Sequence, residues 1–125
     1  MGTKFLKTFE ILFNKSIVDL NVAKITHRSY EKGEIQLALE VVFFHLQQSA
    51  EKLIKSLLDL NKIKFPHTHD LENIINLLKE NNIKSVNNID LLIPLSEYAV
   101  DGRYAVLHDD IEDVNIYINL LEKFI

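Results

Sequence analysis

Residues 35 to 61 read IQLALEVVFFHLQQSAEKLIKSLLDLN, and the spacing of apolar side chains in this stretch decides the fold. Leu39, Phe43, Leu46, Ala50, Leu53, Leu57 and Leu60 follow one another by alternating steps of four and three, which puts them all on one stripe of a helix. A helix with such a stripe must lie against other helices. The same spacing comes earlier in Leu6, Phe9, Phe13, Ile17 and Leu20, later in Leu91 or Leu92, Leu95 and Tyr98, and last in Ile111, Val114, Ile118, Leu121 and Ile125. A short fifth helix is expected over about 70 to 80, where Asp70 is a good N-cap and Leu71, Ile74, Ile75 and Leu78 follow at helical spacing. Pro66 blocks its extension upstream, Asn81 and Asn82 end it, Gly33 separates the first two helices, and Asp101-Gly102 has the chemistry of a helix terminus. Pro94 fits a helix that starts near Asp90, close to its first turn, and otherwise implies a kink. The expected architecture is all-α: an antiparallel bundle of four long helices plus one short helix, joined by short connections.

With 125 residues, 3 Gly, 2 Pro, no low-complexity linker and no internal repeat, the chain is expected to be one helical domain over residues 1–125. It has no cysteine, which excludes disulfides, thiolate zinc sites and a cysteine nucleophile. No apolar run approaches the ~20 residues that cross a bilayer. The first ten residues, MGTKFLKTFE, carry charge where a signal peptide is apolar, so a cytoplasmic location is expected. A net charge of -4 excludes a broadly basic coat, so neither DNA nor a membrane surface is an expected partner and any RNA contact must be local. Charge is uneven, +3 over residues 1 to 69 and -7 over 70 to 125. Lys52, Lys55, Lys62 and Lys64, beside His67 and His69, could form one basic edge; the plainer reading is a solvated helix face.

The stretch RYAVLHDD, residues 103 to 110, sets Arg103 and His108 five positions apart, after the glycine break and before the last helix. On a regular helix they would point about 140° apart, so they converge only if the segment between them is a loop or an irregular helix start. Arginine forks onto phosphate and histidine exchanges a proton near neutral pH, which suffices for metal-independent cleavage of RNA. The 2′-hydroxyl would attack the adjacent phosphorus, with His108 assisting proton transfer and Arg103 stabilising charge on the phosphoryl oxygens. Four acidic residues crowd the start of the last helix: Asp109, Asp110, Glu112 and Asp113. They complement the helix dipole, with Asp110 and Asp113 at capping spacing, but would neutralise Arg103 if they faced it.

Three segments occur in order over residues 43 to 110: FFHLQQSAEKLIKSLLDL, PHTHDLENIINLL and LSEYAVDGRYAVLHDD. Together they resemble the HEPN family (higher eukaryotes and prokaryotes nucleotide-binding), with its Phe, Gln and Ala-Glu-Lys pattern in the second helix, its His-Asp-Leu before a short helix, and its Arg with a His a few residues on. With the flanking helices the likeness covers nearly the whole chain. The resemblance implies a bundle of about five helices that forms a homodimer and brings the Arg and His of both subunits into one cleft. It implies a metal-independent endoribonuclease, of the kind that acts as a toxin beside a minimal nucleotidyltransferase antitoxin. It assigns Arg103 and His108 as the catalytic pair, without a metal. Lys52 and Lys55, from the basic edge, and Tyr104, which could stack on a base, are candidate contacts to RNA or a nucleotide, and no cofactor is expected. Two positions depart from the family's pattern. Tyr104 follows the arginine where ribonucleolytic members carry a polar residue, and Asp110 stands where some members have a tyrosine that the partner adenylylates.

Other motif residues have structural readings. Gln47, Gln48, Glu51 and Lys52 belong to the resembling stretch, and Gln48 with Lys52 is also an ordinary helix-surface pair. His45 in the FFHL run reads as a hydrogen-bonded core or interface histidine, and Tyr98, Tyr104 and Tyr117 as packing residues that could also stack on bases. Two other functions compete. A non-catalytic HEPN module would bind a nucleotide or a partner without cleaving RNA. A metal-dependent phosphohydrolase of the HD type would use His45, His69-Asp70 and Asp109 or Asp110 as ligands.

Overall fold

The computed structural model describes residues 6–33, 39–99 and 113–125, apart from the side chains of Leu39 and Asp113. Arg103, Tyr104 and His108 lie outside the described residues, as do the Asp101-Gly102 break and Asp109, Asp110, Ile111 and Glu112. The elements are α1 (Thr8–Glu31), α2 (Leu39–Leu60), α3 (Leu71–Glu80), a 3-10 helix (Ile89–Tyr98) and α4 (Asp113–Phe124). All regular structure among the described residues is helical, which is the all-α class read from the sequence.

Local chemistry sets the helix ends. At the start of α1 the Glu10 carboxylate reaches back 3.1 Å to accept from the Lys7 amide, half of a capping box. Gly33, at φ 75°, ends the turn after α1 in the left-handed region that glycine enters freely. Asp70 caps α3, its Oδ1 accepting from the Glu72 amide at 3.1 Å. Both α2 and α3 then close with a left-handed residue, Lys62 (φ 60°) and Asn82 (φ 55°). The next amides fold back in matching fashion, Ile63 onto the Leu58 carbonyl at 2.9 Å and Ile83 onto the Leu78 carbonyl at 3.0 Å.

α1 and α2 run antiparallel at close range, and serines set their register. Ser16 and Ser49 donate to each other's backbone carbonyls, at 2.8 and 2.9 Å, and Ser56 donates to the Phe9 carbonyl at 2.9 Å. Ser49 and Ser56 are seven residues apart, as are Phe9 and Ser16, so the contact recurs every two helical turns. The same step leads to Ala23 and Val42, both fully buried. A hydroxyl reaching a carbonyl on the facing helix requires the backbones to be close, which only small side chains allow. The buried face of α1 is therefore Ser16, Asp19, Leu20, Ala23 and His27, which keeps only Leu20 of the expected apolar stripe. Leu6 is exposed, and Phe9, Phe13 and Ile17 are half-buried. This is a correction with a clear cause: close packing took polar and small residues inward and left the aromatic ones at the margin.

The segment expected as a fourth long helix is the ten-residue 3-10 helix, which contains Pro94. Proline has no N–H to donate and its ring collides with the carbonyl four residues back in α geometry. A 3-10 helix has three residues per turn, and Ile89, Leu92 and Leu95 are buried at that period, with Tyr98 next. Of the two leucines at its start it is Leu92 that is buried, while Leu91 is half exposed. α4 buries Val114, Ile118, Leu120 and Leu121 and is tied to α1 by Lys24–Glu122 at 2.9 Å. These side chains join Leu46, Ala50, Leu53, Ile54 and Leu58 of α2 and Leu71, Ile74, Ile75 and Leu78 of α3 in one core. Each fully buried leucine or isoleucine stabilises that core by about 1.5–3 kcal/mol.

Candidate functional site

The motif residues of α2 face two ways. Toward α3, Glu51 is buried and gathers three donors on its carboxylate. Gln47 Nε2 reaches Oε1 at 2.9 Å, His69 Nδ1 reaches the same oxygen at 2.8 Å, and Lys55 Nζ reaches Oε2 at 2.9 Å. Burial pushes the Glu51 carboxyl up, but the hydrogen bonds from Lys55, Gln47 and His69, with the Lys55 charge, outweigh it and hold the group below its ordinary 4.5. Gln47 also donates to the His69 carbonyl at 3.3 Å and accepts from Gln48 at 2.6 Å. The glutamine and glutamate of the second-helix pattern thus grip the histidine that precedes α3.

Toward α1, Asp19 is the shared acceptor: His45 Nδ1 reaches its Oδ1 at 2.9 Å and Lys52 Nζ reaches Oδ2 at 2.5 Å. The His45 ring also meets Phe44 edge-on, at 5.2 Å between centroids. His45 is therefore the bonded interface histidine that its apolar neighbours suggested. Asp19 was not singled out from the sequence. Its only signal is position, three residues after Ser16 and next to Leu20, on the side of α1 that turns inward.

The third motif segment is fastened to the other two. Ser96 Oγ accepts from the Leu71 amide at 2.9 Å, supplying an acceptor for the first turn of α3. Tyr98 stacks on Phe43 of α2 at 4.8 Å, and Tyr117 of α4 meets the same ring edge-on at 6.2 Å. Tyr98 and Tyr117 are thus packing residues, as read. Arg103, Tyr104 and His108 lie in the sequence between these two tyrosines and outside the described residues.

Of the candidate contact residues, Lys52 is committed to Asp19 rather than paired with Gln48, and Lys55 is committed to Glu51, with its amine 5.7 Å from the centre of the Phe65 ring. Lys62 and Lys64 are exposed. His45 and His69 are held by separate carboxylates, and among the described residues no group of three or more His, Asp or Glu side chains is placed to hold a metal ion. Among the described residues no helix is long and apolar enough to cross a membrane.

A family model described as the HEPN domain matches residues 9–125. The chain belongs to the HEPN family. That match spans all three fastened segments and both flanking helices, and it places the protein among nucleotide-binding or ribonuclease-type modules. No curated protein and no solved structure matches the chain. Within this HEPN domain the pattern residues of the second helix and of the His-Asp-Leu segment hold α2, α3 and the 3-10 helix to one another.

Proposed function

We propose that this HEPN protein is a metal-independent endoribonuclease, the toxin of a toxin-antitoxin pair, with Arg103 and His108 as its catalytic pair at the cleft of a homodimer. In this reading the 2′-hydroxyl of RNA attacks the adjacent phosphorus and the bond to the 5′-oxygen breaks. His108 assists the proton transfers, and Arg103 balances the charge on the non-bridging oxygens. A minimal nucleotidyltransferase is the antitoxin partner, and the cytoplasm is the location.

The observation that supports it most is the fastening around Phe43. Tyr98 and Tyr117, which lie before and after Arg103 and His108 in the sequence, both pack on that ring, so the described residues on either side of the pair belong to the motif-bearing part of the bundle. The test is incubation of the purified protein with a mixed RNA pool in excess chelator. Cleavage that persists with chelator and disappears in both Arg103→Ala and His108→Ala supports the proposal.

A second reading, a non-catalytic module that binds a nucleotide or a partner, is favoured by one observation. The two motif lysines, Lys52 and Lys55, are engaged by Asp19 and Glu51. It predicts nucleotide or partner binding with no RNA cleaved.

A further inference from the structure

α1 carries a second apolar line on the side away from the core. Ile11, Val18 and Ile25 recur every seven residues and are 40%, 59% and 61% exposed. Val18 stands two residues from both Ser16 and Leu20, which is about 200° of helical turn, so the line runs opposite the buried face. A step of seven drifts by only ~20° per repeat, so the three side chains share one outer stripe of a helix about 36 Å long.

The stripe is symmetric about Val18, with Ile11 and Ile25 each seven residues from it. Laid head to tail against itself, it sets Ile11 level with Ile25 of the partner subunit, and a two-fold contact demands such a self-match. The polar edge matches in the same sense. Glu10 and Arg28 are eighteen residues apart, five whole turns, so they lie on one line beside the stripe, with Asn14 and Asn21 between them. A two-fold axis that reverses α1 keeps this edge on the same side in both protomers. Glu10 then comes within about 3 Å of level with Arg28 of the partner subunit, and Asn14 within about 1.5 Å of level with Asn21 of the partner subunit. One Glu10 oxygen accepts from the Lys7 amide, which leaves Oε2 for a guanidinium. On the other edge the stem of Lys15 lies beside Val22 of the partner subunit. A parallel pair would put both copies of Glu10 at one end, out of reach of Arg28.

We propose that a second copy of the chain covers this face, α1 pairing antiparallel with α1 of the partner subunit about a two-fold axis at Val18. The proposal gives the homodimer of the preceding reading a face and rests on that reading for the second copy. It uses no residue of the cleavage chemistry, so contact and cleavage are measured separately.

The chain has no cysteine, so introduced ones report contacts without background. Under mild oxidation Val18→Cys is expected to give a disulfide-linked dimer, and so is a mixture of Ile11→Cys with Ile25→Cys. Ile11→Cys alone is not, because its two copies would stand about 20 Å apart along the paired helices. Sedimentation equilibrium should show a dimer that Val18→Glu weakens by about a hundredfold or more, since two carboxylates would be buried without partners. Helical circular dichroism should be unchanged in that variant, because the position faces outward in one protomer. Glu10→Arg and Arg28→Glu should each weaken the dimer by about fivefold, and the two together should restore it. A chain that stays monomeric, a dimer that Val18→Glu leaves intact, or linkage of Ile11→Cys to itself in preference to Ile25→Cys would overturn the proposal. RNA cleavage is scored on the unsubstituted chain. No cleavage by a dimer that Val18→Cys links supports this face and fails the nuclease reading alone, whereas cleavage by a dimer that Val18→Cys does not link overturns this face alone.

Discussion

Asp19 and Glu51 are two buried carboxylates on neighbouring helices, each with a histidine and a lysine as donors, yet their surroundings differ. The donors of Asp19 are His45 and Lys52, both with side chains 25% exposed, and both cross from α2 to α1. The donors of Glu51 include Gln47, fully buried, and Lys55, 12% exposed, with only His69 standing out in solvent at 64%. A donor near the surface can turn to water when its acceptor is lost, whereas a sealed one is left with its desolvation cost. The same residue types therefore do different work. Glu51 holds the sealed joint between motif segments, and Asp19 the more open one between the long helices.

Removing Glu51 is expected to have the larger effect. Glu51→Ala leaves Lys55 and Gln47 short of their acceptor inside the bundle and should destabilise by about 3 kcal/mol, measured by urea unfolding. Asp19→Ala should cost less, about 1–2 kcal/mol by the same method, because His45 and Lys52 can rehydrate. If the two losses are equal, or reversed, the contrast in burial does not govern them.

Acid sharpens the comparison. The folded Glu51 carboxyl titrates below its ordinary 4.5, so the folded state binds this proton less readily than the unfolded chain. Its contribution is complete above 4.5 and is lost as pH falls through the lower folded value. The stability gap between the natural chain and Glu51→Gln should therefore be widest above pH 4.5 and narrow as pH falls below it. A gap that does not change with pH would mean that the carboxylate charge is not what its donors hold. The smallest effect belongs to His69→Ala. Its ring is mostly in solvent, so the lost contact to Glu51 should cost about 0.5 kcal/mol or less in a melting comparison.

The contrast also shows what the sequence makes legible. Glu51 lies in the QQSAEK stretch and His69-Asp70 in PHTHDL, so a family pattern marks them, and the apolar period of α2 places Glu51 on that helix. Asp19 sits in a helix whose inward face is Ser16, Asp19, Ala23 and His27 as much as Leu20, so hydrophobic spacing points elsewhere, to Phe9 and Phe13. Serine pairs that bond to facing carbonyls leave no apolar period to read. The 3-10 helix was partly legible: Pro94 argues against a long α-helix, and the three-residue step from Ile89 to Leu92 to Leu95 is its positive mark. Arg103 and His108 are proposed from the glycine break, the family pattern and acid-base chemistry rather than from periodicity, and they lie outside the described residues.

The most direct test is to identify the ends of the RNA fragments produced in chelator, by phosphorus NMR or by their susceptibility to phosphatase. Attack by the 2′-hydroxyl with departure of the 5′-oxygen predicts 2′,3′-cyclic phosphate and 5′-hydroxyl ends, absent with Arg103→Ala and with His108→Ala. Uncut RNA, fragments with 5′-phosphate ends, or cleavage that survives either substitution would contradict the account.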